Sequence, residues 1–265
     1  MTQTLAVANQ KGGVGKTTTC VNLAAALAGH GRQVLLVDMD PQGNATVGAG
    51  LDRSAVEATN YELLMGEASA EAVRCTGLSG GFDLLPANGD LTAAEVTLTG
   101  TGDGREKRLA EALEPIRADY DHILIDCPPA LNVLTVNAFV AADQVLIPIQ
   151  CEYYALEGLS ALLNTIERIR QTVNPALRIE GLVRTMFDGR NNLSNQVGAQ
   201  LLEHFPGQVY RTQIPRNVRL AEAPSHGLAV LQYDRSSRGA VAYMALASEL
   251  LNRQRANAAT AGGVA

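Results

Sequence analysis

The sequence predicts an α/β fold in a single domain: a mostly parallel, twisted sheet with helices on both faces. Three observations carry this. Short apolar runs alternate with segments of helical periodicity along the whole chain, the pattern of a sheet whose strands are buried on both sides. The first apolar run, residues 5–8, passes through a glycine-rich loop directly into a helical pattern at residues 20–27. Two later runs end in aspartate, at Asp38 and Asp126. A parallel sheet holds its ligand just beyond such strand ends.

The elements follow in order. Residues 33–38 read as a buried strand, and residues 38–44, Asp-Met-Asp-Pro-Gln-Gly-Asn, as a loop. Helical patterns at Asn60–Met65, 91–98 and 106–113 surround a strand at 82–85, and the glycine-rich residues 99–104 form a mobile surface loop. Strands His122–Asp126 and 144–149 flank a helix at 131–140. A helix at 156–173, a strand at 178–186 and a helix at 193–204 come next. Residues 210–231 read as loop with one short helix, and 240–253 as the last helix. The domain therefore spans residues 1–254, and residues 255–265, mostly small and uncharged, form a flexible tail.

Composition sets the broad class. Of 265 residues, 46% are hydrophobic, ample for one large core. No apolar run approaches the roughly 18 residues needed to span a bilayer. The N-terminal residues lack the charged-then-apolar layout of a secretory signal, so a cytoplasmic location is expected. The four cysteines, Cys20, Cys75, Cys127 and Cys151, show no metal-ligand spacing and read as reduced, mostly buried residues. The net charge of −6 is unevenly placed. Residues 51–121 carry 14 acidic and 6 basic side chains, whereas residues 205–238 carry five arginines against Glu222 and Asp234. Net charge therefore does not exclude a polyanion on one face.

Residues 10–19 read Gln-Lys-Gly-Gly-Val-Gly-Lys-Thr-Thr-Thr between the first strand and first helix. That context makes the fold a P-loop NTPase. Gly12, Gly13, Val14 and Gly15 bring backbone N–H groups to an anion at the positive end of the helix. Lys16 reaches the β- and γ-phosphates, Thr17 ligates magnesium, and Thr18 continues the cradle. Gln10 stands where the pattern usually has its first glycine, and a second lysine, Lys11, sits at the mouth of the loop. Lys11 adds charge stabilisation to its own site, or, if turned outward, to the nucleotide of a facing subunit.

Carboxylates at strand ends suit a hydrated magnesium ion. Asp126, in Ile-Leu-Ile-Asp-Cys-Pro-Pro, matches the acidic residue that supports the metal in phosphate-loop enzymes. Asp40 is the candidate for positioning or deprotonating the attacking water. Asp38 either supports the metal or builds the turn.

Residues 11–18, Lys-Gly-Gly-Val-Gly-Lys-Thr-Thr, resemble the deviant Walker A loop of the ParA/MinD superfamily. Within it, residues 38–46, 125–129, 185–188 (Thr-Met-Phe-Asp) and 214–227 resemble the ParA/Soj chromosome-partitioning ATPases, so the likeness covers nearly the whole chain. The start at the first strand resembles the short chromosomal type without an added N-terminal DNA-binding domain. The resemblance implies an ATP-dependent sandwich dimer with magnesium, Lys11 crossing to the partner's nucleotide, Asp40 aiding hydrolysis and Asp126 supporting the metal. It implies that Pro215 and Asn217 line the adenine pocket. It also implies binding to double-stranded DNA without sequence preference and weak hydrolysis stimulated by a ParB-type centromere-binding protein. A nucleoid-associated cytoplasmic protein moving replicated origins would result.

The residues bear on DNA independently. Arg190 precedes a helix N-terminus, an unfavourable place for a cation by about 0.3–1 kcal/mol. Arg216 and Arg219 lie one turn apart if their segment is helical. With no Trp and 4% aromatics, such arginines suit phosphate contacts rather than base reading. Three rivals share the loop. A MinD-like membrane-cycling ATPase wants a C-terminal amphipathic helix, and here only Arg253 and Arg255 follow Leu251 without a bulky apolar face, so no membrane contact is expected. An iron–sulfur electron carrier needs placed thiolates. A ligase-like metabolic enzyme needs a substrate pocket.

Overall fold

The apolar runs pair into one sheet. In the computed structural model, which describes residues 2–100 and 102–262, the strands are β1 (Gln3–Val7), β2 (Val34–Asp38), β3 (Asp83–Leu85), β4 (His122–Asp126), β5 (Gln144–Gln150), β6 (Arg178–Phe187) and β7 (Val209–Pro215). Their order is β3-β2-β4-β1-β5-β6-β7, and every neighbouring pair is parallel. The carboxyl ends of these strands therefore open on one edge.

Among the described residues, α-helices connect or follow the strands: α1 (Lys16–Gly29), α2 (Asn44–Gly48), α3 (Asn60–Met65), α4 (Ala70–Val73), α5 (Leu91–Gly100), α6 (Arg108–Leu113), α7 (Val133–Ala141), α8 (Ala155–Thr172), α9 (Asn192–His204), α10 (Val218–Glu222), α11 (Val230–Tyr233) and α12 (Arg238–Gly262). Side chains along a strand alternate faces, and two cores record it. Leu5, Val7, Leu36, Leu124 and Leu146 pack under α1 and α12, against Leu23, Leu27, Leu246 and Leu250. Ala6, Leu35, Val37, Ile123, Ile125 and Ile147 face the other layer, where Leu134, Phe139, Leu159 and Leu162 cover them. The same alternation puts Asp38 and Asp126, two residues beyond Leu36 and Leu124, on the α1 face.

Several boundaries differ from the sequence reading. β7 occupies part of the stretch read as loop. It is an edge strand whose middle residues, Arg211 to Gln213, are polar and only partly covered, so no apolar run marks it. α2 begins at Asn44, the last residue of the Pro/Gly/Asn-rich loop, after Gly43 at φ 63°. Asn217 caps α10 by accepting from the Arg219 N–H at 3.0 Å, so Arg216 precedes the helix and the one-turn spacing of Arg216 and Arg219 does not hold. Thr99 and Gly100 belong to α5, not to a surface loop, and Thr101 of that loop lies outside the described residues. Residues 255–262, expected as a flexible tail, continue α12, because this alanine-rich stretch favours helix. Residues 263–265 lie outside the described residues.

Candidate nucleotide-binding site

The loop from β1 to α1 holds its shape through glycine and one long-range bond. Gly13 and Gly15 sit at φ 72° and 89°, the left-handed region that side chains disfavour. The Val14 carbonyl accepts from the Thr185 hydroxyl of β6 at 2.7 Å. Among the described residues, nothing accepts from the N–H groups of Gly12, Gly13, Val14 or Gly15. These donors, with the open amides at the start of α1, form an anion cradle. Lys16 is 7% exposed and donates from Nζ to the Lys11 carbonyl at 3.2 Å. Burial lowers its pKa, against the pull of the Asp126 carboxylate.

Asp38 and Asp126 are paired in register on β2 and β4, and both are fully buried. Burial raises both carboxyls above the ordinary range, and each is raised further by a neighbouring carboxylate: Asp40 beside Asp38, Asp38 beside Asp126. Their partners differ. Asp38 accepts from the Thr46 N–H and hydroxyl, both at 2.8 Å, and from the Asp40 N–H at 3.2 Å. Asp38 thereby anchors α2 and the turn that carries Asp40. Asp126 accepts a weak bond from the Cys20 thiol at 3.5 Å, and its Oδ2 has no hydrogen-bond partner. The Thr17 hydroxyl lies beside this carboxylate and holds its pKa down. A buried, under-bonded carboxylate oxygen next to a threonine hydroxyl fits a hydrated magnesium ion, which takes few protein ligands.

Beside Thr17 the strand ends enclose a cavity of about 770 Å³, and Asp38 and Asp126 lie buried behind its lining. Gly12, Gly13, Gly15, Lys16, Thr17 and Thr18 line it from the loop side. Asp40, 8% exposed and accepting from the Gln42 N–H at 3.0 Å, lines it from the turn after β2. Pro215, Arg216 and Asn217 line it from the end of β7. The size suits a nucleotide. Lys11 departs from the group. Its N–H donates to Asn9 Oδ1 at 2.9 Å, and its half-exposed ammonium pairs with Glu152 beyond β5.

A family profile described as an AAA domain matches residues 2–179. The chromosome partitioning protein ParA of Caulobacter vibrioides is 53% identical over 253 residues, covering 95% of this chain and 94% of its own. The sporulation initiation inhibitor protein Soj of Bacillus subtilis is 51% identical over 251 residues, covering 94% and 98%. The chain belongs to the ParA/Soj family of chromosome-partitioning ATPases. A solved structure, cobyrinic acid a,c-diamide synthase from Mycobacterium smegmatis with bound ADP and magnesium, superposes with a TM-score of 0.85 at 39% identity, covering 97% of both chains. The fold is thus one that has been crystallised around a nucleotide and its metal.

In this ParA/Soj chain the three arginine candidates keep different company. Arg190, 91% exposed along its side chain, makes a two-pronged pair with Asp188, at 2.9 and 2.8 Å. That pair holds the Asp188 carboxyl down to about 2 and offsets the cost of a cation before α9. Arg219 pairs with Glu222 at 2.7 Å and Asp234 at 3.3 Å. Arg216 is exposed and lines the cavity itself. The sequence reading missed Glu152 as the partner of Lys11, because no local pattern links residues 141 apart. It missed the strap from Thr185 to the loop for the same reason. The only non-glycine residue with positive φ among the described residues, Met186 at 48°, follows Thr185 and lines the cavity. Such strain clusters at ligand sites.

Proposed function

We propose that this chain is a weak, partner-stimulated ATPase that dimerises around ATP and, as a dimer, binds double-stranded DNA without sequence preference. In this reading a ParB-type centromere-binding protein stimulates hydrolysis, and hydrolysis releases the chain from DNA, driving chromosome or plasmid segregation on the nucleoid. The observation that carries it is the divergence of the two lysines: Lys16 is buried at the cavity, while Lys11 is half-exposed and paired with Glu152, open to a facing subunit.

Each residue then has a task. The loop amides and Lys16 hold the triphosphate. Magnesium, when bound, neutralises charge on the β- and γ-phosphates; Thr17 and Asp126 would hold it, with Asp38 keeping the neighbouring turn in place. Asp40 orients the attacking water or takes its proton. Lys11 leaves Glu152 and stabilises charge on the partner's γ-phosphate. Pro215 and Asn217 flank the base. Arg190, Arg219 and Arg216 exchange their carboxylates or solvent for DNA phosphates. Partitioning relatives support the partner and DNA assignments, and the ion pairs of Arg190 and Arg219 set what DNA must displace.

Sedimentation velocity of Asp40→Ala tests the dimer. With ATP and magnesium it should sediment as a dimer, and with ADP as a monomer. Adding Lys11→Ala should return the ATP form to monomer. A D40A protein that stays monomeric at saturating ATP contradicts the proposal.

A further inference from the structure

Arg184 is a buried cation that the proposed chemistry leaves unused. It lies in β6, is 6% exposed, and its Nε has no hydrogen-bond partner. Burying an arginine without a carboxylate is costly, so its contacts need a reason. They cluster on one irregularity. Between Leu182 and Arg184 the chain of β6 advances two residues while β7 advances four, from Val209 to Gln213. The surplus in β7 has backbone groups with no strand partner. Glu249 of α12 accepts from the Arg211 and Thr212 N–H groups at 2.8 and 2.9 Å. Arg184 supplies the other half, donating from Nη2 to the Tyr210 and Arg211 carbonyls at 3.1 and 3.5 Å. With its amide oxygen turned to the guanidinium, Gln213 accepts from Nη1 at 2.9 Å. Phe187 covers the guanidinium at 5.4 Å from its ring centre.

The next residue works in the other direction. Thr185, on the opposite face of β6, holds the Val14 carbonyl of the phosphate loop. Two consecutive side chains thus tie the loop and the β7 bulge to one strand. β7 ends two residues after Gln213, at Pro215, where the chain enters the cavity wall.

We propose that Arg184 is a positioning residue for the nucleobase: by fixing the β7 bulge it sets residues 215–217 against the base while Thr185 sets the phosphate loop. This rests on the reading that ATP binds with its base at Pro215 and Asn217. A planar guanidinium is required because one fork must serve several acceptors at once. Removing it frees the bulge and moves the base wall, leaving the phosphate cradle in place.

The test compares ATP with inorganic tripolyphosphate, which has no base, by calorimetry with magnesium on the full chain. Arg184→Met should weaken ATP about tenfold and leave tripolyphosphate unchanged, because a displaced base wall cannot affect a ligand without a base. Equal weakening of both ligands, or no change in either, overturns the proposal. Should R184M fail to fold, Arg184→Lys carries the same comparison, with a smaller loss for ATP alone as the supporting result and parallel behaviour as the contrary one. If the wild-type chain binds no ATP, the functional reading fails first; a wild-type response from both variants sinks only the role of Arg184.

Discussion

Asp126→Asn should make the ligand-free chain more stable and the liganded chain less so. The substitution removes one charge from a buried, in-register pair. Strands sit about 4.8 Å apart, and two unit charges at that separation repel by roughly 3 kcal/mol at an effective dielectric near 20. Burial and the neighbouring Asp38 raise the Asp126 carboxyl, which relieves part of that repulsion, and Lys16 loses the attraction of Asp126, so the recoverable part is smaller, roughly 1–2 kcal/mol. Asparagine keeps an acceptor for the Cys20 thiol and presents an amide where Oδ2 had no partner. In a domain of this size the gain raises the unfolding midpoint by about 2–8 °C. Thermal unfolding with and without ATP and magnesium is the assay. The wild-type chain should gain a large upward shift from the pair of ligands, and D126N should start higher and gain little. A D126N protein that melts lower than wild type when empty, or that keeps the full magnesium-dependent shift, refutes the reasoning that this carboxylate is strained for metal binding.

Lys16→Ala should abolish ATP binding measured by calorimetry, since no other cation lies within the phosphate cradle among the described residues. Arg219→Ala and Arg190→Ala should leave nucleotide binding intact and weaken DNA binding at every sequence, each lowering the slope of log affinity against log salt by about 0.9 for every phosphate it would neutralise. An unchanged salt titration would remove that arginine from the DNA face. His122 should make stability fall in mild acid. It is 3% exposed, bonded to Gln254 at 3.0 Å, and burial lowers its pKa, with Asp121 pulling up and Arg32 down. The unfolded chain therefore takes the proton first, so stability present above the ordinary histidine value is lost as pH falls below it, by at most about 1.4 kcal/mol per pH unit. His122→Gln should flatten that slope in urea unfolding at pH 7 and pH 5.

The sheet's centre was legible because its strands are buried on both faces and so are nearly continuous apolar runs, as in Ile123, Leu124 and Ile125. β7 was not, since an edge strand with Arg211, Thr212 and Gln213 at its middle takes its stability from Glu249 and Arg184, residues distant in sequence. The phosphate loop was legible because Gly13, Gly15, Lys16 and Thr17 act within one turn of each other. Asp126 could be placed from its position after an apolar run. The split between Asp38 and Asp126 could not, because it depends on Thr46, whose hydroxyl meets Asp38 only after α2 forms. The same holds for the arginines: composition located the basic stretch that holds Arg219, but Glu222 and Asp234 beside it, and Asp188 beside Arg190, decide what each cation costs to redirect.

Nucleotide-dependent capture of duplex is the property on which the proposed function turns. Co-sedimentation of Asp40→Ala with a non-specific DNA fragment, at matched salt, with ATP in one tube and ADP in the other, measures it directly. Protein pelleting with DNA only in the ATP tube, and releasing it when Lys11→Ala is added, is the predicted result. Equal recovery in both tubes, or none in either while D40A binds ATP, would contradict it.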